Sequence, residues 1–236
     1  MPSPCLIRNQ RREPGHTKSA VDADIVNAVN KVRLGSGNRL TATPGFTPSK
    51  VFEKLRDISP VPVYHEDLPA HYGGFYYYND KDVPNSIIMN AAYKASPEHD
   101  FVLAHEIGHA QYGETPVGKL LQGKLHQHAW SNKPGWASFL SGALMPTRAT
   151  RAAGVLGSTA FASIYPFNEL AANRYARKAL RAAGATDQYW AATDKDRKDN
   201  YAVAAETPAA TFLAGLLGLG AREVYDHRQQ ILDMFE

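Results

Sequence analysis

Apolar residues recur at helical spacing early in the chain. Val21, Ile25, Val29 and Val32 punctuate "SAVDADIVNAVNKVRLG" until "GSG" ends the run. That predicts a helix over 19–35, and a shorter one is expected around Lys50–Asp57. The pattern then changes period. "VPVYH", "GFYYYND" and "SIIMN" (86–90) are rich in β-branched and aromatic residues and read as three strands, with "NDKD" as a turn. Tyr76, Tyr77 and Tyr78 are expected to alternate buried and exposed rings along the second strand. Ser96-Pro97-Glu98 opens a helix well, with serine as the N-cap, proline in the first turn and an acid facing the positive end. That helix should carry 101–112 and stop at Gly113, and nearly all that follows has helical character. The expected class is α+β, mainly helical, with a small sheet preceding the central helix.

Two apolar runs, "AAGVLGSTAFASIYPF" (152–167) and "PAATFLAGLLGLGA" (208–221), are shorter than the roughly 18–20 residues that span a bilayer. Rich in Gly and Ala, they are expected to form buried, closely packed helices, and membrane contact is not expected. Trp130, Trp136 and Trp190 are expected to be packing residues.

Composition narrows the class further. A chain of 236 residues, 44% hydrophobic and 21% charged, has enough material for a sizeable core. No repeat or low-complexity linker divides it. The expected organisation is therefore a basic extended arm, 1–18, followed by a single domain over 19–236, with a core at 64–183 and a helical C-terminal part at 184–236. The formal charge of +3 is too small to argue for nucleic acid. Residues 1–50 hold 8 Lys+Arg against 3 Asp+Glu, leaving 18 against 20 beyond them, so the basic excess sits in the first fifth of the chain. Such an arm reads first as a solvated tail, and docking on an acidic protein partner or an assembly is the sharper reading. The lone Cys5 excludes an internal disulfide framework and a cysteine zinc cage. No apolar stretch near Met1 resembles a signal peptide, which points to the cytoplasm, or to a virion component as the alternative.

The chemistry concentrates in "FVLAHEIGHAQYG" (101–113). On a helix, residues four apart lie one above the other, so His105 and His109 can offer two imidazoles to one metal ion. Glu106, at a neighbouring angle, can reach a water without ligating the metal, which makes it the candidate general base. Ala104, Gly108 and Ala110 would admit another element close to this helix. A third ligand has to come from elsewhere. A metzincin would need H-E-x-x-H-x-x-G-x-x-H, but here Gly113 falls one place late and Thr115 stands where the last histidine would be. His126 and His128 in "KLHQHAW" are candidates, although they alternate along a segment that reads as helical. Glu169 in "FNELAANRYARKAL" is favoured: Asn173 lies one turn on, able to hold a histidine's second nitrogen, and Ala171, Ala172 and Ala176 leave room for close packing.

"HEIGH" followed by "ELAAN" resembles the gluzincin-type zinc peptidases, where H-E-x-x-H on one helix is completed by E-x-x-A-D or E-x-x-A-N on a later one. Within them, "SIIMN", "FVLAHEIGHA" and "ELAANRYA" are similar to the ImmA/IrrE-type metallopeptidases, which carry asparagine in the last place. The 63 positions from Glu106 to Glu169 are more like the CAAX-prenyl-protease and heat-shock membrane peptidases, or the bacterial neutral zinc metallopeptidases. The resemblance covers about 64–183. It implies a zincin-like fold, bound Zn2+ and hydrolysis of peptide bonds in a protein or peptide substrate. It further implies an edge strand that pairs with substrate, a role for which Ile87, Ile88, Met89 and Asn90 are placed, with a plain core strand as the equal alternative. A donor to the developing oxyanion is needed as well, with Tyr165, Arg174, His126 and His128 as candidates. A structural or assembly protein that kept a peptidase fold is the alternative.

Overall fold

The computed structural model describes residues 18–33, 48–69, 73–77, 85–91, 96–122 and 133–228. Two helices, α1 (Lys18–Arg33) and α2 (Lys50–Ile58), precede strands β1 (Val63–Glu66), β2 (Gly74–Tyr77) and β3 (Ser86–Asn90). Then come α3 (Pro97–Gly113), α4 (Pro116–Gln122), α5 (Lys133–Leu144), α6 (Arg148–Ala162), α7 (Ile164–Ala182), α8 (Asp187–Ala192) and α9 (Asp194–Asp226). The architecture is α+β and mainly helical, with the sheet ahead of the helices. The arm expected over 1–18 lies outside the described residues apart from Lys18, as do the "NDKD" turn and Trp130.

The residues group into two compact units. One comprises 1–120 and 168–200, and the other 121–167 and 201–236. The changeovers fall inside α4, α7 and α9, so no linker composition marks them in the sequence.

The first unit is built on the sheet, in the order β1-β3-β2. β3 pairs in parallel with β1 (Ile87 opposite Val63) and antiparallel with β2 (Ile88 opposite Phe75). Because side chains alternate along a strand, the sheet serves two cores. Ile87, Met89, Val63 and Tyr76 join Phe52 and Leu55 of α2, with Phe101, Leu103 and Ile107 of α3 and Ala176, Ala179 and Leu180 of α7. Ile88, Tyr64, Phe75 and Tyr77 face the other way, onto Ala28 and Val32 of α1. Both sides of the sheet are therefore covered. This corrects the expected alternation of exposed rings, since Tyr76 and Tyr77 are both buried; Tyr78 lies outside the described residues. It also corrects the reading of Ile87, Ile88, Met89 and Asn90 as an edge strand. β3 is central, and its backbone groups are committed to neighbours on each side.

Local sequence fixes how α2 and α3 begin. Ser96 caps α3 by accepting a hydrogen bond from the His99 N–H at 3.2 Å. Ser49 caps α2 through the Phe52 N–H at 2.9 Å, and its hydroxyl donates to Asp100 Oδ2 at 2.5 Å. The Tyr189 hydroxyl of α8 donates to the same carboxylate oxygen. Asp100 thus ties the first turn of α3 to α2 and α8, where its negative charge also suits the helix N-terminus.

The second unit contains α5, α6 and most of α9. The Thr147 and Thr150 side chains form a reciprocal cap at the start of α6. Small residues make the contacts between these helices: a Cβ on Gly142 would stand 2.6 Å from the Gly215 carbonyl oxygen, and one on Gly218 only 2.2 Å from that of Phe139. Many large apolar side chains instead face outward. Leu156 on α6 and Leu213, Leu216 and Leu217 on α9 are exposed while Val155, Ala162 and Tyr165 are buried, so 152–167 and 208–221 pack closely on one face as expected but are not buried all round. Trp136 on α5 is 66% exposed and so is not a packing residue; Trp190, in the first unit, packs edge-on against Phe101.

Candidate metal centre

α3 is buried on nearly all sides, with His105, Glu106 and His109 each no more than 2% exposed. An ionisable group in such a place needs a partner, and a second helix provides it. α7 crosses α3 so closely that a Cβ on Gly108 would lie 2.2 Å from the Ala172 carbonyl oxygen. The glycine inside "HEIGH" is therefore what lets the backbones meet, and Ala172 and Ala176, both buried, keep the α7 side of the contact small.

This approach brings Glu169 to the histidines. Its Oε2 lies 3.1 Å from His105 Nε2, and its Oε1 lies 3.6 Å from His109 Nε2. The two Nε2 atoms are 3.0 Å apart. On the far side of the first ring, His105 Nδ1 lies 2.9 Å from Asn173 Oδ1. An amide oxygen only accepts, so Nδ1 carries a proton, and Nε2 faces Glu169, donating to it when the ring is charged and offering a lone pair when it is neutral.

These separations can be tested against a metal ion. Four ligands arranged tetrahedrally on bonds of about 2.0–2.1 Å sit roughly 3.3 Å from one another. The three observed gaps of 3.0, 3.1 and 3.6 Å bracket that value. Two neutral nitrogens and one carboxylate also match the donor set of a catalytic zinc site. His105, His109 and Glu169 form a buried group able to hold a metal ion, and it is the one such group among the described residues.

A peptidase family model, described as IrrE N-terminal-like domain, matches residues 56–129. The match supports the ImmA/IrrE branch of the resemblance. It takes in the sheet, α3 and both histidines, and ends well before Glu169, which joins them through the fold alone. Searches of curated proteins and of solved structures returned no match.

Electrostatics follow from burial and proximity. Burial opposes the charged form of His105, but the hydrogen bond and charge of Glu169 outweigh it and the pKa is raised. For His109 burial wins and the pKa is lowered. Burial would raise Glu169, yet the adjoining imidazoles hold it well below the usual carboxylate range. Glu106 is pushed by burial to about 8, with the Glu169 charge adding to the rise against the opposing effect of His105.

Glu106 turns toward the sheet. Its Oε2 accepts the Tyr76 backbone N–H of β2 at 2.8 Å, and Oε1 has no hydrogen-bond partner among the described residues. β2 rather than β3 is thus the strand whose backbone faces this carboxylate. The sequence reading missed Tyr76 because its contribution is a main-chain N–H, which no residue type advertises. Of the proposed oxyanion donors, Tyr165 is buried four residues ahead of Glu169 on α7, and Arg174 is exposed on the same helix. His126 and His128 lie outside the described residues.

Proposed function

We propose that the chain is a zinc-dependent peptidase in which His105, His109 and Glu169 hold Zn2+ and Glu106 is the general base. The observation that carries this reading is the meeting of Glu169 with two histidines sixty and sixty-four positions away, at separations suited to one tetrahedral ion. When bound, the ion would supply a Lewis acid that polarises a substrate carbonyl and brings a water's pKa toward about 7.

The remaining work falls to the chain's own side chains. Next to a dication the carboxylate form of Glu106 is favoured, despite the burial that raises its pKa in the metal-free protein. The Tyr76 N–H pins Oε2, leaving Oε1 to take the proton of the attacking water and pass it to the departing amine. Asn173 keeps His105 in one tautomer, so that ligand does not compete for the proton.

The test separates the two roles. Glu106→Gln should keep the metal at wild-type stoichiometry and lose hydrolysis of an unfolded protein substrate; retained turnover would remove Glu106 from the mechanism. His105→Ala should lose the metal, and unchanged metal content would overturn the ligand assignment.

A further inference from the structure

The second unit buries few large apolar side chains, Val155 and Tyr165 among them, and leaves many more exposed. Its helices meet backbone to backbone at Gly142 and Gly218, and Gly215 packs against the side chains of Ser138 and buried Val155. Trp136, Leu140 and Leu144, spaced by four along α5, are 66%, 47% and 70% exposed. Leu213 and Leu217, spaced by four along α9, are 59% and 70% exposed. No charge interrupts residues 134–147, 152–168 or 207–221. A protein partner usually meets a mixed polar and apolar patch, whereas outward leucines over glycine-mediated contacts suit a solvent as apolar as leucine itself.

Charge gathers at one end of these apolar stretches. Arg148 lies 3.4 Å from Glu223 and Arg151 3.8 Å from Asp226, which sets the start of α6 beside the end of α9. Arg222 and Arg228 belong to the same end, each over the Tyr225 ring, and Arg222 also pairs with Asp226 at 2.9 Å. Four arginines meet two acids there. Such a basic end beside an apolar surface complements anionic headgroups over acyl chains. The uncharged part of α9, 15 residues at about 1.5 Å each, extends about 22 Å against roughly 30 Å of hydrocarbon. No described helix is long and apolar enough to cross a membrane.

We propose that α5, α6 and α9 form a docking surface for an anionic lipid membrane, lying in its interface without crossing it. Leu140, Leu213 and Leu217 enter the acyl region while Arg148 and Arg228 meet the headgroups.

The test is flotation of the full chain with vesicles of phosphatidylcholine and phosphatidylserine in equal parts, compared with phosphatidylcholine alone. The chain should float with the anionic vesicles, less so at high salt. Leu213→Gln and Leu217→Gln should each weaken binding about tenfold. Brominated acyl chains should quench the wild-type tryptophan emission, and Trp136→Phe should remove the quenched component, a readout that does not depend on the leucine variants folding. Absence of flotation with either vesicle overturns the proposal, as does equal flotation with phosphatidylcholine alone. A lipid-independent dimer that Leu213→Gln converts to monomer would assign the surface to a second copy instead.

Discussion

Gly108→Ala adds one methyl group at the crossing of α3 and α7 and puts the metal centre to a geometric test. The new Cβ would stand 2.2 Å from the Ala172 carbonyl oxygen, while ordinary contact begins at 3.4 Å. The obstacle is backbone, so no side-chain rotation relieves it, and the helices must separate by about 1.2 Å. Metal–ligand bonds hold to within about 0.2 Å of their preferred length. Glu169, carried on α7, would leave bonding range of an ion gripped by His105 and His109. Overpacking of this kind also costs about 1–3 kcal/mol of stability. The assay is metal affinity by competition with a coloured chelator, alongside thermal unfolding followed by circular dichroism. Affinity should fall by more than the roughly 10–100-fold that loss of a supporting hydrogen bond costs. Gly157→Ala on α6 is the control: nothing lies within 4 Å of its Cβ, and the change should stabilise by roughly 0.5–1 kcal/mol through helix propensity. A Gly108→Ala protein that binds metal like the wild type would show that this close approach does not position Glu169.

Three further outcomes follow from the same contacts. Asn173→Ala should weaken metal binding roughly 10–100-fold, and Asn173→Asp, a stronger acceptor at 2.9 Å from His105 Nδ1, should restore it; equal affinities in all three proteins would refute the orienting role. Burial holds His65 down to about 3, assisted by the charges of His99 and Arg56, and holds His99 down to about 4. Folding therefore favours their neutral forms: their contribution is complete above pH 6.5 and is lost as acid protonates the unfolded chain first. Each should cost about 1.4 kcal/mol per pH unit, so at about pH 5.5 the pair removes roughly 3 kcal/mol. Denaturant midpoints should show a shallower acid slope in His99→Phe than in wild type; equal slopes would exclude this pair. Ser49→Ala removes both the α2 cap and a donor to buried Asp100, which should cost roughly 1–3 kcal/mol, read from urea unfolding; a loss within about 0.5 kcal/mol would contradict that network.

Local pattern settled the elements. The caps Ser49 and Ser96, the three strands and the start and stop of α3 depend on residues within a few positions of one another, so they were legible from the sequence. His105, Glu106 and His109 were legible for the same reason, because four-residue spacing on a helix makes two imidazoles neighbours whatever the fold does next. Even Glu169 and Asn173 left local marks, an acid and an amide one turn apart among alanines, though only packing puts them 3.1 Å and 2.9 Å from His105.

Strand order and the facing of whole helices were decided by tertiary structure. "SIIMN" has the same composition whether it lies at an edge or in the centre; β3 is central because β1 and β2 both pair with it, a choice made by chain crossings that no single strand encodes. Runs such as 208–221 are apolar around most of the helix, so periodicity cannot say which side is buried. The close contacts of Gly142, Gly215 and Gly218 turned the small faces inward and left the leucines outside. Residue types determined what chemistry was possible, and the pairing of distant segments, through contacts no local window contains, determined which groups meet to perform it.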